Sequence, residues 1–328
     1  MINTLLANGR PLLADGATGT NLFAMGLTSG DNPDLWNAIH PDRVASLQQS
    51  FVDAGADIIL TNSFGANRRR LALHALEGRA HELNRRAAQI ARSVADKAGR
   101  PVIVAGSVGP TGDLLAPLGP LTEDEAVAVF VEQIEGLKDG GADVVWIETM
   151  SAPDEIRAAA RAASIAGMPY SVTASFDTAG KTMMGVAPAA LAELVATFDP
   201  PPFAVGANCG VGAADLMMSV LAITEAHPGA VVVAKANAGI PQWHGTHIHY
   251  SGTPELMARY ARLAVDAGAR IIGGCCGTSP THLAAMRQAI DGHSKANRPD
   301  EAAVIEALGA LVAPPAKAPT RSRARRRG

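Results

Sequence analysis

DAGADIILTN, residues 53–62, places a helix end directly against a strand start. An amphipathic run over 41–54 leads into it, Gly55 offers the left-handed backbone that closes a helix, and IIL begins an apolar run of strand length. The same phrase returns as DGGAD (139–143), IAGMP (165–169) and DAGAR (266–270), each ahead of another apolar run. Working outward, strands are predicted at 12–16, 57–62, 102–107, 143–149, 170–176, 204–209, 231–237 and 270–275. Helices are predicted over 41–54, 68–98, 122–140, 153–167, 187–198, 213–227 and 254–268. Thr122 before acidic residues and the prolines at 153 and 254 supply recognisable helix starts. Eight strands alternating with helices over about 280 residues is the count of an α/β protein of the (β/α)8 TIM-barrel class. An open doubly wound sheet is the weaker reading, because no Gly-x-Gly-x-x-Gly turn follows the first strand. The expected organisation is a barrel over 1–295, followed over 296–328 by one helix and a disordered Pro/Arg-rich tail.

Composition narrows the function classes. The formal net charge is −3, and the tail AKAPTRSRARRRG carries much of the positive charge, so the body is acidic and offers no nucleic-acid footprint. No run reaches the ~18 apolar residues of a membrane span, and the N-terminus reads as no signal peptide. Three cysteines do not make a disulfide framework, so a cytoplasmic protein with reduced thiols is expected.

In a barrel, chemistry comes from the C-terminal strand ends. Asp15 ends the first strand, Thr61 and Asn62 the second, Glu148 and Thr149 the fourth, Asn208 and Cys209 the sixth, Asn237 the seventh, and Cys275 and Cys276 the eighth. Every cysteine therefore falls on one rim. Three thiolates on one face suit Zn2+ with a fourth position open. Adjacent cysteines on a regular strand would point to opposite faces, but the glycines around them allow the backbone to turn both toward one ion. Two other readings stay open at this point: buried thiols acting as small hydrophobes, and a vicinal redox pair. The histidines of WHGTHIHY (His244, His247, His249) are read as part of a solvated polar loop.

These motifs resemble the zinc-dependent homocysteine S-methyltransferase family, which includes betaine–homocysteine methyltransferases and the first module of cobalamin-dependent methionine synthase. LADGATGTNL, GADIILTNSFGAN, GADVVWIETM, GANCG and GGCCGT look like that family's successive motifs, in order, from about residue 10 to 290. The resemblance implies a TIM-barrel methyltransferase that makes methionine, with Cys209, Cys275 and Cys276 as catalytic zinc ligands. It further implies that Asp15, Gly16 and Glu148 hold the amino-acid end of homocysteine, with Asn208 also in the substrate-binding set. A carboxylate pair can receive an ammonium while turn N–H groups receive a carboxylate.

The methyl donor divides the family. Betaine enzymes hold the donor's quaternary ammonium on aromatic faces. Here only 4% of residues are aromatic, Gly65 and Thr149 stand where tyrosines would be expected, and Trp36, Phe64 and Trp243 remain as donor-side candidates. The closer likeness to the methionine synthase module implies methylcobalamin carried by a partner protein, as in a split methionine synthase. A sulfonium donor such as S-methylmethionine and a non-catalytic zinc- or thiol-binding subunit are the other readings. Oligomeric state is not legible, and a homo-oligomer is compatible with the sequence.

Overall fold

The computed structural model describes residues 1–244 and 247–313, and of 241–249 the backbone alone. The basic tail lies outside the described residues. Eight parallel strands form the barrel: β1 (Leu12–Leu13), β2 (Ile58–Leu60), β3 (Ile103–Val108), β4 (Val144–Met150), β5 (Tyr170–Ala174), β6 (Ala204–Cys209), β7 (Val232–Ala236) and, after a hairpin of β8 (Pro241–His244) and β9 (His247–Tyr250), β10 (Ala269–Gly274). Their order is β1-β10-β7-β6-β5-β4-β3-β2. The ring closes between β1 and β2 through a bridge from Ala14 to Ile58 and a hydrogen bond from Asp57 N to Leu13 O at 2.7 Å. This is a (β/α)8 TIM barrel.

The glycine of each repeated helix-to-strand phrase is left-handed, with φ of +96° at Gly55, +95° at Gly141, +65° at Gly167 and +99° at Gly268. That conformation ends the helix and turns the chain directly into a core strand.

Strand alternation divides the core in two. Leu12, Ile58, Ile103, Val144, Ala204, Val233 and Ile271 form one cluster, while their neighbours Leu13, Ile59, Val104, Val145, Val205, Val232 and Ile272 join the cluster that includes the outer helices. The first set fills the barrel, where Trp146 is its largest side chain, and the helix Ile2–Ala7 covers the N-terminal end through Ile2. Continuing the two-residue period upward from the inner set reaches Ser107, Glu148, Asn208, Asn237 and Cys275. The interior thus grows polar toward the C-terminal rim.

Two predicted elements differ. The helix expected over 68–98 is broken into Arg68–Leu71, 3-10 turns at Ala72–His74 and Glu77–Arg79, and Ala80–Ala95. Ala75 takes a left-handed φ of +55°, which no continuous helix allows. The segment read as a polar loop contains the β8–β9 hairpin, paired antiparallel from Pro241↔Tyr250 to His244↔His247. Beyond the barrel proper, the helix Glu301–Leu308 buries Val304 and Leu308 in the outer core. Among the described residues, no helix is long and apolar enough to cross a membrane.

Candidate active site

The three sulfurs meet. Cys209, Cys275 and Cys276 place their Sγ atoms within 4.8 Å of one another, and Cys209 and Cys276 are 4.0 Å apart. Each reaches the cluster differently. Cys275 continues the inward period of β10. Cys209 follows the inward-facing Asn208, and its left-handed φ of +63° re-aims a side chain that regular pleating would turn outward. A non-glycine residue there stores on the order of 1 kcal/mol of strain. Cys276 lies past the strand end, just ahead of Gly277 at φ +76°.

Two buried asparagines hold the cluster. Asn208 accepts at Oδ1 from Thr149 N (2.8 Å) and Thr173 Oγ1 (2.7 Å), and its Nδ2 donates to Thr149 Oγ1 (2.7 Å) and toward Cys275 Sγ (3.8 Å). Asn237 accepts from Cys276 N at 2.9 Å and donates to Gly210 O at 2.6 Å and toward Cys209 Sγ at 3.7 Å. Amide donors aimed at sulfur favour thiolates.

Without a cation those thiolates are disfavoured. For Cys209 the hydrogen bond with Cys275 favours ionisation, but the bond with Cys276 and burial oppose it and push the thiol up to about 12. Cys276 follows the same pattern with partners exchanged, favoured by Cys209 and opposed by Cys275 and burial, and also rises to about 12. Cys275 is raised by its bond with Cys209, with burial adding to it. Three crowded thiols cannot all ionise alone. Sulfurs 2.3 Å from a tetrahedral ion sit about 3.8 Å apart, and soft donors at this spacing fit a thiophilic divalent metal.

The cluster opens into a cavity of about 500 Å3. Its floor includes Ser107, Glu148 and Lys235; one wall is the turn from Gly16 to Thr20; and Phe23, Asp34, Phe64, Arg70 and His74 stand around it. Glu148 is buried, with Oε1 accepting from Ser107 Oγ at 2.5 Å. Burial raises its pKa above the ordinary carboxylate value, opposed by Lys235 and the Ser107 bond. Asp15 is 1% exposed, and both its oxygens are engaged within the protein: Oδ1 by Lys235 Nζ at 2.8 Å and Oδ2 by Leu60 N at 2.7 Å. Gly16 lets the first turn approach the loop after β10, since a Cβ there would stand 2.6 Å from Thr278 O.

Of the residues singled out in the sequence, Gly16, Phe64, Glu148 and the three cysteines line this one cavity, and Asp15 and Asn208 lie buried against it. Trp36 does not line it. Its ring is 3% exposed, edge-on to His40 at 4.8 Å with the Arg43 guanidinium 5.2 Å from its centroid, so its faces are taken up by its own neighbourhood. Trp243 lies on β8, and its side chain is outside the described residues, as are those of His244, His247 and His249. Sequence reasoning passed over Ser107, Lys235 and Asp34. A signal existed for the first two: each is a polar side chain on the inward phase of an otherwise apolar strand.

The family model for homocysteine S-methyltransferase matches residues 12–290. Methionine synthase of Mycobacterium tuberculosis is 30% identical over 297 residues, covering 86% of this chain and 25% of that protein. The methionine synthase of Mycobacterium leprae is 30% identical over 298 residues, covering 86% and 24%. The chain therefore spans about a quarter of the length of these relatives. Among solved structures, the metallated form of the homocysteine methyltransferase MmuM from Escherichia coli superposes with a TM-score of 0.73 at 26% identity, covering 88% of this chain and 99% of that one. The oxidised form of the same enzyme gives 0.71 at 25% identity, covering 85% and 95%.

Proposed function

The chain belongs to the homocysteine S-methyltransferase family, and on that premise we propose that it makes methionine at a Zn2+ centre held by Cys209, Cys275 and Cys276. The observation that carries this reading is the convergence of three thiols and Glu148 on one cavity of small-molecule size. Zn2+ bound there supplies a Lewis-acid position that keeps a fourth sulfur, that of homocysteine, deprotonated at neutral pH.

The chain's own residues do the rest. Three cysteine thiolates give a divalent site a net charge of −1, so the incoming sulfur stays electron-rich. Asn208 and Asn237 donate toward two of those sulfurs and fix their direction. Glu148, with Ser107 on one oxygen, offers the other to the substrate ammonium. The homocysteine thiol releases its proton to solvent, its sulfur forms a bond to the methyl carbon, and the methyl–donor bond breaks with its electron pair leaving on the donor.

One donor reading is a small onium such as betaine. Phe64 on the same cavity supplies an aromatic face for a cation. The second reading, methylcobalamin on a partner protein, is supported by the 30% identity to methionine synthases. The proposed place of action is the cytoplasm, where three such thiols stay reduced.

The test is methionine formation from homocysteine by the zinc-loaded protein, with betaine and free methylcobalamin in parallel. Turnover with betaine supports the first reading, and turnover with methylcobalamin alone selects the second. Replacement of Cys276 by Ala is expected to abolish both bound zinc and turnover; a zinc-free variant that remained fully active would end the proposal.

A further inference from the structure

Lys235 is a charged side chain on the inward phase of an otherwise apolar strand. It stands on the inner face of β7, one period below Asn237, and is 2% exposed. It nevertheless lines the cavity beside Glu148 and Cys275. Its Nζ donates to Asp15 Oδ1 at 2.8 Å, and among the described residues Asp15 is the one carboxylate within ion-pair distance. An ammonium has three donors, so this bond leaves two for a ligand. Burial works against the charge, but Asp15 and Glu148 outweigh it and hold the pKa above the ordinary lysine value.

Asp15, by contrast, is 1% exposed and engaged at both oxygens. Lys235 and Leu60 N occupy its two oxygens, and a substrate ammonium approaching it meets the Lys235 charge already in place. Glu148 keeps one oxygen free of the Ser107 bond. The floor therefore presents a fixed cation next to a fixed anion, the complement of an α-amino acid's carboxylate and ammonium.

We propose that Lys235 is a specificity-determining residue of the homocysteine subsite, its ammonium receiving the substrate carboxylate while Glu148 receives the substrate ammonium. This rests on the homocysteine reading above. Asp15 then acts as a positioning residue, holding Lys235 in place and charged. A thiol amine without the carboxylate leaves a buried cation unmet, and the site discriminates against it.

The experiment is calorimetric binding of homocysteine and of 3-aminopropane-1-thiol, the same chain without its carboxylate, to the zinc-loaded protein. Wild type is expected to prefer homocysteine by about ten- to a hundredfold, the range of a charge-assisted hydrogen bond. Lys235→Met should weaken homocysteine by a similar factor and the thiol amine by less than about threefold. Because that variant strands the Asp15 charge, the Asp15→Asn/Lys235→Met pair is measured beside it and should show the same collapse of preference. A preference that survives in the double variant, or an equal loss for both thiols, overturns the proposal and leaves the homocysteine reading standing. Failure of wild type to bind either thiol overturns both.

Discussion

At the scale of single residues, Asp34 makes the sharpest prediction. It is 2% exposed and lines the cavity near Arg70. Burial pushes its carboxyl up from 3.8 to about 7, against the hydrogen bond from Gly65 N–H and the more distant Arg70 charge. With the folded pKa above the unfolded one, the native state holds the extra proton between those values. The contribution to stability is then full below the unfolded pKa, declines as pH rises, and is gone above about 7. Asp34→Asn has no such titration. Between pH 5.5 and 8 the variant should gain on wild type by on the order of 2 kcal/mol in urea unfolding; parallel curves would show an ordinary carboxyl. Nothing in NPDLW announces this, because an aspartate after Asn-Pro reads as a turn residue. The cysteines were legible because their strand-end positions are set by local pattern. The Lys235–Asp15 bond joins residues 220 positions apart, and its partnership exists only once the barrel closes.

At the scale of elements, the repeated helix-to-strand phrase was readable because a C-cap is local chemistry, yet its copies are not equivalent. Gly167, at φ +65°, would place a Cβ with nothing within 4 Å, whereas Gly55, at φ +96°, would place one 2.7 Å from Cγ of Arg287. That arginine cannot swing freely, since it bonds Asp57 at 3.1 Å and Asp291 at 2.6 Å. Gly167→Ala should therefore cost about 1 kcal/mol, the left-handed penalty alone. Gly55→Ala should cost roughly twice that or more, as it also displaces a packed side chain. Equal shifts in the two urea midpoints would mean that only the backbone conformation matters. The elements that escaped the sequence have the converse cause. Residues 68–98 are rich in good helix formers and read as one helix, but the chain must fold back there to bring Arg70 and His74 to the cavity.

At the scale of the whole molecule, the barrel separates its two tasks along its axis. The C-terminal rim carries the cysteines, Glu148 and Lys235, while the N-terminal end is sealed by the helix Ile2–Ala7. Ile2 is buried with inward-facing residues of seven strands, Leu5 and Leu6 pack partly against the same cluster, and Arg270 Nη2 donates to Leu6 O at 2.6 Å. Six residues with a short apolar stripe carry too little pattern to be read as a plug. Their place follows from the open end of a cylinder whose floor would otherwise be wet. One full and two partial aliphatic burials contribute about 3–6 kcal/mol, enough to lower the melting temperature by roughly 10 °C if removed. A variant lacking residues 1–9 should therefore melt earlier while keeping wild-type metal content and homocysteine affinity. The reason is that the inner layer of Leu60, Ala105, Trp146 and Val233 stands between plug and site, and its packing does not depend on the chain beneath supplying any polar partner. Loss of bound metal from a variant that is still folded would mean instead that the two ends of the barrel are coupled through that layer.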